Sequence, residues 1–580
     1  MNYIYFNTEY VGQSDTIKTI PNGYIDKTIC GCGLTSLALE NNQNTIIAVP
    51  TKALVYNKVN QYPNKRFNGL ICGVYGGIKK EDITKYVETQ NKLNMPYKIM
   101  VTYDSFYKCS DFFNNADKII IDESDQLLKY TKLKIDNKYN DTDVITYLYN
   151  ICEQYKNKVS FISATPIPLI YMPKWIADLP QYKFIFDNTT KVVPILLKRT
   201  YPFKALKEEI ILPIELNGSV IIGDRKITKC IIFINSVENI TKIIKESKLN
   251  KNDVAILCGD TLRNDIKIKG YNRIDNVNRL PKYTFITSSG FEGIDLVDKE
   301  AINIVVSNTS KNCQMINLLT DLKQATSRQR DKSNPNYNRY IYIYNQNNFS
   351  KSEKELLTII DDTKKQLKDN CSLLAELIQN NDNRYISTSI RFNESATFTT
   401  YTLLNKETKC YEINENAFNA DKYFILETRK QFTKGFDVIS SFEIQPIKVA
   451  APKNISPYSY NSLLTKYKDS LYNKDIEFSE YEKQTENYKI IHLYYVKYNS
   501  FTNNSTYAKN MIKLYNDDFN RIKYEVREML PNGVYNKKDV KDAVNNLYKQ
   551  YGIKRKFNFN DLKNEFNITY TETQRRITIL

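Results

Sequence analysis

The chain has 580 residues, enough for about two to four domains with sizeable cores. Its 82 basic side chains outnumber 65 acidic ones, and the net charge of +17 favours a polyanionic partner, most simply nucleic acid. One histidine (His492) and ten scattered cysteines without a C-x-x-C pair point away from a zinc cluster or a disulfide scaffold.

The amino-terminal text MNYIYFNTEYVG has no basic stretch leading into an apolar core, so no secretory leader is expected. No apolar run approaches membrane length, so a soluble cytoplasmic protein without a membrane partner is expected. Next comes a glycine turn, Gly31-Cys32-Gly33-Leu34-Thr35-Ser36. It has the form of a phosphate-binding loop, in which backbone amides cradle phosphates and a hydroxyl meets magnesium. The usual lysine falls at Leu34, so the positive charge is missing there.

Short apolar runs then alternate with helical text. NTIIAVP (44–50), YKIMVTY (97–103), DKIIIDE (117–123) and KVSFISAT (158–165) read as buried strands of a parallel sheet. Polar or small residues come after each run, where such a sheet presents its carboxyl edge. The pattern restarts after a proline-containing link with runs at 229–236, 253–260, 283–290, 301–308 and 339–346. This predicts α/β domains over 1–190 and 191–348. A mixed, largely helical C-terminal region is expected over 349–580, opened by a long amphipathic helix in SKSEKELLTIIDDTKKQLKDNCSLLAELIQ. Weak strand signals come next in TFTTYTLLN and CYEINEN. The chain ends in two short helices with Gly552 as a cap between them and basic KRKF and QRRITIL segments. The latter suit a small winged-helix-like contact with nucleic acid.

The strand ends carry the chemistry. Asp122 closes an apolar strand and can hold magnesium together with the Thr35 hydroxyl. Glu123 can orient and deprotonate an attacking water. Ser163 and Thr165 can hydrogen-bond to these carboxylates and transmit the nucleotide state. In the second domain, Thr287, Gly290, Gly293 and Asp295 come after a strand, and Gln324, Arg328 and Arg330 come together soon after. An arginine presented across a cleft to a nucleotide acts as an arginine finger.

Taken in order, these segments resemble the motifs of superfamily 2 helicases and translocases of the DEAD/DEAH-like type. GCGLTS resembles motif I, AVPTKAL motif Ia, VTYDSF motif Ib, IIIDESD motif II and SAT motif III. IIFINSVENITKII, TSSGFEGIDL and QATSRQR resemble motifs IV, V and VI. The resemblance implies two tandem RecA-like domains, ATP and Mg2+ in the cleft, and nucleic acid across the domain tops. It implies that Pro50, Thr51, Thr102, Asn235 and Thr287 lie at the nucleic-acid backbone. Gly293 and Asp295 would lie by the nucleotide, with Asp295 near the ribose, and Arg328 would be the finger.

Two positions depart from the family pattern. Motif VI ends R-x-R, with Asp331 where the last arginine usually stands, as in variants among viral helicase-like proteins. With the composition, this suggests a phage or mobile element, hence a host cytoplasm. In motif I, Leu34 cannot touch phosphate. Lys27, at the start of the loop, is the nearest substitute, because the loop folds back on itself and a lysine spans roughly 6 Å. The expected function is an ATP-dependent helicase or translocase in DNA replication. Its expected partners are DNA ahead of RNA, and replication proteins. A non-hydrolysing nucleic-acid scaffold and an origin-binding initiation factor are the rival readings.

Overall fold

The computed structural model describes residues 1–580 except 62–70, 132–142, 188–189, 260, 275–279, 292–293, 381, 406–407, 451–459, 473–475, 479–481, 484, 499, 517, 552–556, 560–561, 563–565, 567, 574 and 580. The chain forms two compact units, Met1–Ala451 and Pro452–Leu580.

The first unit holds two sheets. One is built from β1 (Asn2–Phe6), β2 (Gly23–Asp26), β3 (Thr45–Val49), β4 (Cys72–Val74), β5 (Lys98–Thr102), β6 (Lys118–Asp122), β7 (Val159–Ser163) and β8 (Gln181–Phe186). Its order is β1-β8-β2-β7-β6-β3-β5-β4, and every pairing is parallel. The inner strands β3, β5, β6 and β7 are buried along their whole length, which is why they appear as unbroken apolar runs. Register aligns their ends: Asp26 lies beside Ser163, Asp122 beside Ile162, and Val49 beside Thr102. The residues immediately after these strands therefore share one edge.

The second sheet comprises β9 (Val193–Lys198), β12 (Cys230–Phe233), β13 (Val254–Leu257), β14 (Asn272–Arg273), β15 (Tyr283–Ile286), β16 (Ile302–Val306), β17 (Arg339–Tyr344) and β20 (Ile447–Lys448). Between them fall two hairpins, β10 (Val220–Ile222) with β11 (Arg225–Ile227), and β18 (Thr402–Leu404) with β19 (Tyr411–Ile413). The sheet order is β14-β13-β15-β12-β16-β17-β9-β20, again all parallel. Apolar clusters cover both faces of each sheet. The two tandem RecA-like domains expected from the sequence are thus present.

The C-terminal region was expected to begin at 349, but the units divide at 451/452. The stretch from 349 to 450 packs with the sheets. Its long helix, Glu353–Gln379, starts at Ser352, whose hydroxyl and Glu355 form a reciprocal cap. That helix buries Ile360, Leu367, Cys371 and Leu374 against Phe398, Phe418 and Ile425. Part of TFTTYTLLN is helical (Ala396–Tyr401) before β18 begins.

A run from Asn414 to Gln431 touches both sheet domains. Asn414 donates to Asp143 Oδ2 (3.2 Å), Asn416 to Thr146 Oγ1 (3.1 Å), and Tyr171 to Glu427 Oε1 (3.0 Å) in the first. In the second, Asn317 donates to Thr428 Oγ1 (2.9 Å) and the Leu318 amide to Gln431 Oε1 (2.8 Å).

The second unit has two apolar cores of its own. Its last part runs helix Asp518–Met529, strand Gly533–Asn536, helix Lys537–Gln550, then strands Tyr570–Glu572 and Arg576–Ile579. The three strands form an antiparallel sheet with Arg576–Ile579 in the middle. Gly552 and most of KRKF lie outside the described residues. No helix among the described residues is long and apolar enough to cross a membrane.

Candidate nucleotide site between the sheets

The loop after β2 turns on two glycines in the left-handed region, Gly31 (φ +76°) and Gly33 (φ +82°). Gly33 leads into helix Leu34–Glu40, which places Leu34 at its first position. The Leu34 side chain is 2% exposed and packs among Ile47, Val49 and Ala38. A lysine there would carry its charge into the core.

The amine nearest the two carboxylates is that of Lys27. Its Nζ lies 3.1 Å from Asp122 Oδ1 and 3.2 Å from Glu123 Oε1, and all three side chains are buried. Burial pulls the Lys27 amine down, but Asp122 and then Glu123 outweigh it and hold the amine above its ordinary value. Burial likewise pushes Asp122 up, while Lys27 and the Thr35 hydroxyl hold it below the usual carboxylate range. Thr35 Oγ1 donates to Asp122 Oδ2 at 2.7 Å. A hydroxyl beside a carboxylate is the hard oxygen set that magnesium takes. Ser36 lines the same cleft, which encloses about 1470 Å³.

The second domain completes the group. Gln324 Nε2 donates to Glu123 Oε2 (2.9 Å) and to Thr165 Oγ1 (3.1 Å). Ser163 donates to Asp125 Oδ1 (2.5 Å) and accepts from the Thr165 amide (2.9 Å). Burial, then the Glu123 charge, push Asp125 up to about 6.

Of the two arginines, Arg330 is the one that lies against the loop. A Cβ added at Gly31 would sit 2.6 Å from its Nη1, so the guanidinium lies directly against the glycine. Arg330 Nε also donates to Asp295 Oδ1 (2.7 Å), and Asp295 accepts from Gln61 of the first domain (3.3 Å). Arg328, by contrast, is buried and donates to the carbonyls of Phe291 (2.7 Å) and Gln324 (3.0 Å) and to the Gln324 side chain. It stiffens the glutamine rather than facing the loop. Gly293 lies outside the described residues.

The residues expected at nucleic acid stand at strand ends. Pro50 and Thr51 come just after β3, Thr102 ends β5, Asn235 lies just beyond β12, and Thr287 just beyond β15. Thr51 caps the next helix by accepting from the Leu54 amide (3.3 Å). Asn235 donates to Cys313 O (2.7 Å) and accepts from the Ser288 amide (3.4 Å). Thr287 donates to Leu257 O (3.3 Å). Thr102 is 4% exposed, so its hydroxyl faces inward here. Sequence reasoning passed over Asp125 and Tyr103, both buried beside the Asp122–Glu123 pair. Asp125 stands in IIIDESD and Tyr103 in VTYDSF, but neither segment shows that its side chain turns toward the carboxylate pair.

Residues 26–170 match the family model described as DEAD/DEAH box helicase. That stretch holds the loop, both carboxylates and the ends of β3, β5 and β7. No curated protein matches the chain. Among solved structures, it is similar to Mss116p bound to ssRNA and AMP-PNP, at 13% identity, over 63% of this chain and 79% of that one, with a TM-score of 0.37. It is also similar to Mycobacterium smegmatis helicase Lhr bound to ssDNA and AMP-PNP, at 12% identity, over 70% and 57% of the two chains, with a TM-score of 0.34. Overlaps this low place no residues.

Proposed function

We propose that the chain is an ATP-dependent helicase or translocase of superfamily 2 that works on nucleic acid, DNA ahead of RNA. The observation that carries this reading is Lys27. Its amine stands between Asp122 and Glu123, where a phosphate-binding lysine is needed, while Gln324 of the other domain closes on Glu123. Lys27 exchanges its carboxylate partners in part for the terminal phosphates. Glu123 accepts the proton of the attacking water. Arg330 meets charge that develops on the phosphoryl group. Asp122 and Thr35 would hold magnesium, which when bound would offset phosphate charge. The net charge of +17 and the residues at the ends of β3, β5, β12 and β15 support a polyanion track along the strand ends. In the second unit, the helix–strand–helix order with two strands after it supports a winged-helix-like accessory contact.

The direct test is an ATPase assay with and without single-stranded and duplex DNA and RNA. Stimulated turnover is expected. Nucleic-acid binding with no turnover under any condition would hand the chain to the scaffold reading.

Arg330→Ala should lower kcat about a hundredfold with nucleotide affinity little changed, since it removes one donor to developing charge. Arg328→Ala should instead lower thermal stability along with rate, because it strips a buried guanidinium from two carbonyls and Gln324. Equal kcat for Arg330→Ala and the parent would return Arg330 to a structural partner of Asp295.

Lys52 opens the helix after Thr51, is exposed, and stacks its amine 5.1 Å from the Tyr75 ring. Lys52→Ala should weaken oligonucleotide binding and reduce the salt slope by about 0.7–0.9, the share of one phosphate contact. Turnover at saturating oligonucleotide should stay at the parent level. A fall in kcat with unchanged affinity would place Lys52 at the nucleotide instead.

A further inference from the structure

Glu123 has a backbone conformation that its residue type disfavours. Its φ is +53°, in the left-handed region, although it carries a full side chain. Local hydrogen bonds help hold it there, from the Glu123 amide to Asp122 Oδ1 (2.9 Å) and from the Gln126 amide to the Glu123 carbonyl (2.9 Å), and a more distant residue reaches the same backbone. The Tyr103 hydroxyl lies 2.5 Å from the carbonyl oxygen of Asp122 and 3.1 Å from that of Glu123. These carbonyls belong to the two peptide groups on either side of Glu123, whose rotation sets its φ and ψ. One phenolic hydrogen, shared between them, pins both. Tyr103 is 1% exposed.

Tyr103 is also the residue after Thr102, at the end of β5. Its ring meets Tyr130 edge-on, with centroids 5.5 Å apart and planes at 82°. The Tyr130 hydroxyl donates to the carbonyl of Pro50, at the end of β3, at 2.6 Å. A continuous packed path therefore runs from the ends of β3 and β5 to the backbone of Glu123. It is separate from the Ser163–Asp125 contact on β7.

We infer that Tyr103 is a positioning residue that holds the Glu123 backbone and, through Tyr130, couples the strand-end face where nucleic acid would lie to the carboxylate that activates water. This rests on the proposed function given above. It adds to the expectation drawn from the sequence, in which Ser163 and Thr165 bond to the carboxylates and transmit the nucleotide state.

Tyr103→Phe, in the full chain, removes the hydroxyl and keeps the ring. The expected result is a kcat at saturating single-stranded oligonucleotide lowered about 10- to 100-fold, the scale of a small misplacement of a catalytic group. KM for ATP and the oligonucleotide Kd should stay within about twofold, because the hydroxyl touches neither ligand. Tyr130→Phe should lower the ratio of stimulated to basal turnover. A merely structural tyrosine would shift melting and leave the kcat-to-KM split alone. Parent-level kcat in Tyr103→Phe overturns the positioning role, and a parent-level stimulation ratio in both variants overturns the coupling. If the parent hydrolyses ATP without response to oligonucleotide, the coupling is likewise overturned. If the parent does not hydrolyse ATP at all, the proposed function fails, and the inference is judged on binding linkage. An oligonucleotide-induced change in Kd for a non-hydrolysable ATP analogue that is present in the parent and lost in Tyr103→Phe sustains it. An equal change in both, or none in either, overturns it.

Discussion

Lys27→Ala should silence hydrolysis and weaken the fold together. The amine is the only cation hydrogen-bonded to both Asp122 and Glu123 among the described residues. Without it two buried carboxylates face each other with their main counter-charge gone. Breaking a buried pair in this way costs about 3–5 kcal/mol of stability. The rate should fall by about 10³-fold or more, since the phosphates lose a preorganised charge in a water-poor site. Part of the stability loss should be recovered at acid pH, where a carboxylate can take up a proton. The sign comes from Asp122, which Lys27 holds below its ordinary value despite burial. In the parent this contributes stability above the unfolded value that disappears as pH falls. In the variant that contribution is absent, so the two melting curves should converge on acidification. The decisive companion is Lys27→Ala with Leu34→Lys. Because Leu34 points into the core, the added lysine should not restore turnover and should destabilise further. Rescue would mean that the loop has the conventional geometry. Normal hydrolysis by Lys27→Ala alone would end the relocated-lysine reading.

Glu123→Gln should abolish turnover while leaving nucleotide binding intact. The substitution keeps the size of the side chain and removes its basicity, a loss of about 10²–10⁴ in rate for a general base. Nucleotide affinity, read with a fluorescent analogue, should change little because Lys27, Thr35 and the loop remain. The amide cannot satisfy both of its present partners as the carboxylate does, since Lys27 and Gln324 each donate to it. A modest change in melting is therefore compatible with the assignment, whereas parent-like hydrolysis is not.

Much of this site could be read from the sequence because a parallel sheet makes it readable. Inner strands such as β3, β5, β6 and β7 must be apolar on both faces, so they stand out as runs, and the residues just after each run sit on one edge. That brings Asp122, Glu123 and the loop to one cleft from the sequence alone, whereas Ser163, expected at these two carboxylates, is buried behind them on Asp125. Edge strands were harder. In β1, Tyr3 and Tyr5 are exposed and break the apolar pattern, and β20 is two residues long. The arginines were harder still. Spacing shows that Arg328 and Arg330 are near the cleft, but which one reaches Gly31 depends on the turn at the end of helix Asp321–Thr326. Tyr103 was illegible for a different reason. Its partners are backbone carbonyls, and no pattern of side chains reports where a carbonyl points.

The Asn414–Gln431 run, fastened to Asp143, Thr146 and Tyr171 on one side and to Asn317 and Leu318 on the other, changes the thermodynamics of assembling the cleft. Two domains joined by one linker meet at an effective concentration set by that linker's reach. A second attachment restricts the volume that either domain can explore and raises that concentration. Contacts across the cleft, such as Gln324 on Glu123 and Gln61 on Asp295, can then be individually weak and still be well populated. Weak contacts are also the ones that a single bound ligand can remake. The run thus lets the two halves stay in register while keeping the free-energy difference between their arrangements within the span of one bound ligand.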